Sequence, residues 1–279
     1  MQKGTLTGGT IAFLTFAVIL LAAPLDKYLK KTLEVNPDWT WTLGRALPMV
    51  VFAGLILLLW QFRKDTLSSL FGPIPKDRRV EVAVVALVKM LQPFALFGAM
   101  AVWFWFSEGP VSLENRVSIW RPAYSEGEAF AIRGIVGLVL GTMFAPLIEE
   151  TIFRGLMYPA WKERWGWIAA MLLTSAVFAF YHQVFVSAFI GSMVYVCLFR
   201  RCGTLLAPIA VHAVYNASNW HPLLGQFYFP DPGQPVGDIS SWAFHLACLI
   251  VVAVALPAYV LMAHRDYSAT DSRARAVPT

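Results

Sequence analysis

Two adjacent carboxylates stand at the end of an apolar run of the sequence. Glu149 and Glu150 directly follow the run 134–148, and Arg154 comes four residues after Glu150. Adjacent residues on a helix point about 100° apart, so the two carboxylates cannot share a face, whereas Glu150 and Arg154 can meet. We therefore expect Glu150 to pair with Arg154, which leaves Glu149 available to take a proton from water as a general base.

A proline lies one turn before the two glutamates. Pro146 has no amide hydrogen to donate to the carbonyl of Thr142, which predicts a kink in the helix close to the carboxylates. A simpler interpretation of the glutamates is also open. They could stand where a helix leaves the membrane, wetted by water among the lipid headgroups.

Two further pairs of residues have the spacing of one helical turn. Phe178 precedes His182 by four residues, and His212 precedes Asn216 by four residues. Each pair therefore shares one face of a helix. An imidazole beside a carboxamide offers two adjacent hydrogen-bond donors, which could serve chemistry. Such side chains can also merely join helices to one another by hydrogen bonds, and both interpretations stay open.

The elements that position these residues must be solvated by something other than water. Of 279 residues, 58% are hydrophobic and 14% are charged, against roughly 45–50% and 25% in ordinary soluble domains. This composition excludes a water-soluble globule and predicts an all-α, polytopic bundle of membrane helices. The net charge of +5 is carried by short basic clusters between apolar runs. These clusters set membrane orientation, and we expect no nucleic acid partner.

About eight transmembrane helices are predicted, since each crossing needs about 20 mostly apolar residues. Their approximate ranges are 5–25, 46–62, 80–106, 129–161, 165–182, 184–199, 203–220 and 240–263. Lys and Arg are more frequent on the amino-terminal side, which places both termini in the cytoplasm. We interpret 1–279 as a single integral membrane domain, with a motif core at 134–220 and a flexible polar tail at 265–279.

The three motifs resemble, in their order along the chain, those of the CAAX prenyl protease family of type II and its bacterial relatives, the glutamate-type intramembrane endopeptidases. These motifs are EExxxR at 149–154, FxxxH at 178–182 and HxxxN at 212–216. The resemblance covers about a third of the chain. It implies an intramembrane endopeptidase, a membrane-embedded hydrolase that cleaves a peptide bond in a membrane-associated substrate.

The resemblance also implies a role for each matched position. Glu149, assisted by His182, would activate water, while His212 and Asn216 would hold the developing oxyanion. Glu150, Arg154 and Phe178 occupy supporting positions. Amide hydrolysis needs a base, a proton source for the leaving amine and donors for the tetrahedral oxygen, and this set supplies all three.

Cofactors and partners follow from the same reasoning. No cofactor is expected, although Glu149, His182 and His212 could alternatively bind zinc. The expected partners are the lipid bilayer and a membrane-associated peptide or lipidated protein, while the oligomeric state is left open. We expect a multi-pass protein of a bacterial inner membrane, or of the endoplasmic reticulum if the source is eukaryotic.

Two other classes of function remain open from the residues alone. One is a proton- or ion-coupled transporter in which Glu149, Lys89 and Arg133 form a relay within the membrane. The other is a noncatalytic scaffold or immunity protein that binds a peptide-processing partner.

Overall fold

The computed structural model describes residues 50, 53–54, 68–108, 138–180, 182, 184–218 and 242–275, with side chains described as far as 266. All regular structure in these residues is helical, as predicted. Contacts divide the chain into two compact units. The first comprises 1–76 and 127–213, and the second comprises 77–126 and 214–279.

The helices run in a simple order along the described residues. They are α1 (Arg79–Met90), α2 (Gln92–Glu108), α3 (Ala145–Glu150), α4 (Tyr158–Phe180), α5 (Phe185–Cys202), α6 (Leu206–Ser218) and α7 (Ala243–Arg275). A short 3₁₀ turn, Lys76–Arg78, precedes α1. Two π-helical segments, Leu140–Phe144 and Thr151–Met157, flank α3.

The motif that carries the glutamates lies on an irregular helix in the first unit. Pro146 occupies the first turn of α3, where its missing amide hydrogen is tolerated. The two π-helical segments on either side contain wide turns, which are rare in helices and frequent at functional sites. The irregularity expected near Pro146 is therefore present as wide turns on both sides of the glutamates.

A second break lies inside α4. Gly166 has φ 78° and ψ 167°, a backbone conformation that residues other than glycine rarely adopt. The helix axis therefore changes direction at this residue. The segment 167–180 and helix α5 then follow as two short helices separated by residues 181–184. This arrangement agrees with two predicted helices in 165–199, because that stretch is too long for one crossing and short for two.

Within the part of the chain that the structure describes, three helical segments are long and apolar enough to cross a membrane. They are Lys76–Ser107, Phe185–Cys202 and Ala243–Asp266, and they fall on the predicted spans 80–106, 184–199 and 240–263. The predicted spans 129–161 and 165–182 contain the π-helical segments and the kink at Gly166 described above. Helix α6, within the predicted span 203–220, has 13 residues, fewer than a full crossing needs. The predicted spans 5–25 and 46–62 lie almost entirely outside the described residues. A total of eight spans and the cytoplasmic termini stay predictions.

The second unit is held together by the close packing of α2 against α7. A methyl group at Gly98 would come within 2.5 Å of the backbone oxygen of His245, so only glycine fits this crossing. Phe97, Ala101 and Trp242 form the buried cluster beside it. Helix α7 continues to Arg275, and no glycine or proline interrupts residues 265–275. The flexibility expected of the tail at 265–279 stays a prediction.

Candidate active site

Glu150 and Arg154 form a fully buried ion pair in the first unit. Nη1 of Arg154 lies 3.0 Å from Oε1 of Glu150, and both side chains have no exposed surface. The pairing predicted from their spacing is confirmed. A buried charge needs a partner of opposite sign, so each residue makes the burial of the other possible.

The other arm of the Arg154 guanidinium is held by helix α5. Nη2 donates to the backbone oxygen of Ser192 at 3.0 Å and to its Oγ at 2.6 Å. The guanidinium carbon lies 4.9 Å from the centre of the Phe178 ring and 5.2 Å from that of Tyr195. Arg154 is thus fixed by hydrogen bonds in its plane and by two aromatic rings.

His212 lies between the two glutamates. Its Nδ1 is 2.8 Å from Oε1 of Glu150, and its Nε2 is 3.8 Å from Oε2 of Glu149. A carboxylate oxygen can only accept, so Nδ1 carries the hydrogen of this bond. The other nitrogen, Nε2, is therefore the atom that faces Glu149.

The Glu149 carboxylate differs from its neighbour in its surroundings. Its side chain is 15% exposed, whereas that of Glu150 has no exposed surface. Oε2 of Glu149 is buried and accepts no hydrogen bond from any described residue. The carboxylate predicted to act as the base is therefore separate from the ion pair and lies beside an imidazole.

His182 is connected to this cluster through Phe178. Its ring stacks on Phe178 with centroids 4.2 Å apart, and its Nδ1 donates to the Phe178 carbonyl at 2.7 Å. The Phe178 ring in turn meets His212 edge-on, with centroids 5.9 Å apart. Phe178 thus positions the His182 ring in two ways, through its backbone carbonyl and through its aromatic ring.

Asn216 lies in helix α6, one turn after His212. The helical spacing puts both residues on one face, as the sequence predicts. The side chain of Asn216 is partly buried.

Two residues of the site were missed by the sequence reasoning, Ser192 and Tyr195. The Tyr195 ring stacks on His212 with centroids 4.7 Å apart and an interplanar angle of 18°. A signal was available, because both residues are polar, stand three positions apart and interrupt the otherwise apolar run 188–199. Neither belongs to one of the three motifs.

Lys89 is one of the three residues of the relay in the transporter hypothesis, and it lies in the second unit. It is buried, donates to Oε1 of Gln92, and lies 4.1 Å from the centre of the Tyr215 ring. These contacts stabilise helix packing. Arg133 lies outside the described residues.

The zinc alternative requires three ligands that converge on one point. Among the described residues, no three His, Cys, Asp or Glu side chains are arranged to hold a metal ion. Glu149, His182 and His212 are therefore not arranged as three zinc ligands in this structure, and the absence of a cofactor stays a prediction.

The apolar helices indicate an integral membrane protein, and the buried cluster of carboxylates, imidazole and guanidinium marks a candidate functional site within it. Residues 131–218 match the Rce1-like family, described as type II CAAX prenyl endopeptidase Rce1-like. The match covers about a third of the chain and contains all three motifs, so the resemblance noted from the sequence is confirmed. Comparison with curated proteins and with solved structures gives no match. The matched family is one of proteases, which supports a hydrolase.

Proposed function

We propose that this protein is an intramembrane endopeptidase that hydrolyses a peptide bond with water activated by Glu149. The observation that carries the proposal is the position of His212, whose two ring nitrogens face Glu150 and Glu149 within the segment that matches the protease family. One carboxylate thus orients the imidazole so that its other nitrogen lies beside the proposed base, where the reacting water and the peptide carbonyl would meet.

The proposed reaction begins at the Glu149 carboxylate. Glu149, assisted by His182, takes a proton from water as the water oxygen bonds to the peptide carbonyl carbon. The resulting tetrahedral intermediate collapses when its C–N bond breaks, and the leaving amine takes the proton back. The products are a carboxylic acid and an amine, which become a carboxylate and an ammonium group by proton transfer. The reaction consumes one water and needs no nucleophilic side chain.

The developing oxyanion is assigned to His212 and Asn216. Since Nδ1 of His212 already donates to Glu150, Nε2 can donate to an oxyanion only when the ring carries both hydrogens. Asn216 supplies a second donor from the next turn of the same helix.

The substrate is proposed to be a membrane-associated peptide. It is either a prenylated CAAX-type tail or a bacterial carboxy-terminal sorting or peptide signal, and the protein is proposed to be multi-pass with cytoplasmic termini. A site built on membrane helices, with π-helical turns on both sides of the glutamates, suits a peptide that is itself held at the membrane.

The test uses the purified full-length protein in lipid vesicles. Three peptides would be compared: a farnesylated CAAX peptide, the same peptide without the lipid, and an unrelated lipid-anchored peptide. Mass spectrometry in H₂¹⁸O should find a shortened peptide whose new carboxylate contains one oxygen atom from the solvent. Absence of cleavage of any peptide would contradict the proposal, and proton-coupled uptake without cleavage would favour the transporter hypothesis.

A further inference from the structure

Helix α5 presents two residues to the buried cluster from one face. Ser192 and Tyr195 are three positions apart, so they lie on neighbouring turns of the same side. Ser192 contacts Arg154, and Tyr195 contacts both Arg154 and His212. All four residues are at least 98% buried. One helix outside the three motifs therefore touches both ends of the chain Arg154–Glu150–His212.

We infer that Ser192 and Tyr195 are positioning residues, which fix the orientation of His212 by holding Arg154 and the imidazole ring. This inference rests on the proposed function for its effect on rate. Neither residue is assigned a contact with substrate, and each acts through a neighbour.

The contribution of Ser192 follows from the shape of a guanidinium group. Arg154 uses Nη1 for Glu150 and Nη2 for Ser192, so the plane of the group is set by bonds at both nitrogens. Without the Oγ bond, the plane is set on this side by the backbone oxygen of Ser192 alone. Rotation of the guanidinium would move Nη1 away from the oxygen of Glu150 that also accepts from His212.

The contribution of Tyr195 follows from the shape of the imidazole ring, which fills nearly the same space after a 180° rotation about the bond from Cβ. A half-turn about the bond from Cβ to the ring would replace Nδ1 by a carbon and break the bond to Glu150. The Tyr195 ring covers one face of His212 almost in parallel, while Phe178 meets it edge-on. The two rings restrict this half-turn, so Nε2 stays directed towards Glu149.

The experiment compares Ser192→Ala and Tyr195→Leu with two matched controls in the same unit. Ser175→Ala removes a hydroxyl that is equally buried and makes no hydrogen bond to a described residue. Tyr158→Leu removes an equally buried tyrosine that packs against Phe199 on the same helix, α5. Tyr195→Phe keeps the stacking ring and should recover most of what Tyr195→Leu loses.

Two readouts are needed. The first is the pair kcat and KM on the cleaved peptide: we expect kcat to fall by about 10- to 100-fold in the two test variants with KM little changed. The second is the ¹⁵N and ¹H NMR signal of the His212 ring in histidine-labelled protein, assigned with His212→Ala. The signature of a hydrogen-bonded Nδ1–H should weaken in the test variants and persist in both controls.

The two readouts separate failure of this inference from failure of the proposed function. An unchanged ring signal in both Ser192→Ala and Tyr195→Leu would overturn the inference, whatever the rate. Equal losses of kcat and signal in the controls would also overturn it, since the effect would then be one of general packing. If the wild-type protein cleaves no peptide, the proposed function fails, while the ring signal alone still decides the positioning role.

Discussion

Oε1 of Glu150 accepts hydrogen bonds from Nη1 of Arg154 at 3.0 Å and from Nδ1 of His212 at 2.8 Å. A single carboxylate oxygen of Glu150 thereby connects Arg154, four positions later in the sequence, with His212, 62 positions later. The guanidinium compensates the charge of the carboxylate, and the carboxylate determines which nitrogen of His212 faces Glu149. Glu150 and Glu149 thus have different tasks, although they are adjacent in the sequence.

Replacement of the proposed base is expected to abolish cleavage. Glu149→Gln keeps the size of the side chain but removes its ability to take a proton from water. Because Glu149 lies outside the Arg154 ion pair, the variant should remain folded in detergent, with a melting temperature close to that of the wild type. The measurement is peptide cleavage together with thermal unfolding.

The matched control for this change is Glu163→Gln. Glu163 is an exposed glutamate at the beginning of helix α4, so the variant should cleave peptide at the wild-type rate. Full turnover by Glu149→Gln would remove the glutamate mechanism.

Loss of the buried guanidinium is expected to destabilise the protein. Arg154→Met leaves the fully buried carboxylate of Glu150 without its cation, a change that typically costs about 3–5 kcal/mol. Arg164→Met removes an exposed guanidinium that lies 5.5 Å from the Trp165 ring, and should cost less than about 1 kcal/mol. Thermal unfolding of both variants in one detergent measures the difference. Equal melting temperatures would mean that the ion pair contributes no stability.

The local relationships of the site could be predicted from the sequence because helical spacing determines them. The Glu150–Arg154 pair follows from residues four positions apart on one helical segment. His182 lies two residues beyond the end of α4, where the chain still turns closely enough for its ring to stack on Phe178. Spacing within one helix fixes which side chains share a face, whatever the rest of the fold does.

The long-range relationships could not be predicted in this way. The bond from His212 to Glu150 and the contact of Ser192 with Arg154 depend on how three separate helices pack. The same holds for Gly98. Only the packing of α7 against α2 shows that a side chain at residue 98 would collide with the backbone of His245. The π-helical turns were also missed, since Pro146 indicates an irregular backbone but not its form.

The residues assigned to the oxyanion should act mainly on the chemical step. We expect His212→Ala and Asn216→Ala each to lower kcat by roughly 10²- to 10³-fold, because a donor aimed at the tetrahedral oxygen contributes mostly in the transition state. KM should change much less. Steady-state kinetics on one peptide measures both constants, and wild-type rates in either variant would refute the assignment of that residue.

The crossing of α2 and α7 gives a prediction for stability alone. A methyl group at residue 98 would lie 2.5 Å from the backbone oxygen of His245, so Gly98→Ala must push the helices apart and should cost about 1–3 kcal/mol. Gly72→Ala is the control, because a methyl group there meets nothing within 4 Å. Thermal unfolding should show a lower melting temperature for Gly98→Ala only. Equal stability of the two variants would mean that the crossing tolerates a side chain.

The last prediction concerns metal dependence. The proposed mechanism assigns water activation to Glu149, and the described His, Cys, Asp and Glu side chains form no set of three that could hold a metal ion. Active purified protein should therefore contain substoichiometric zinc, and a strong chelator should leave kcat unchanged. The measurements are elemental analysis and cleavage before and after chelation, with a known zinc protease treated in parallel to verify the chelator. Stoichiometric zinc, together with activity that is lost on chelation and restored by zinc, would assign Glu149, His182 and His212 to a metal site formed in another conformation.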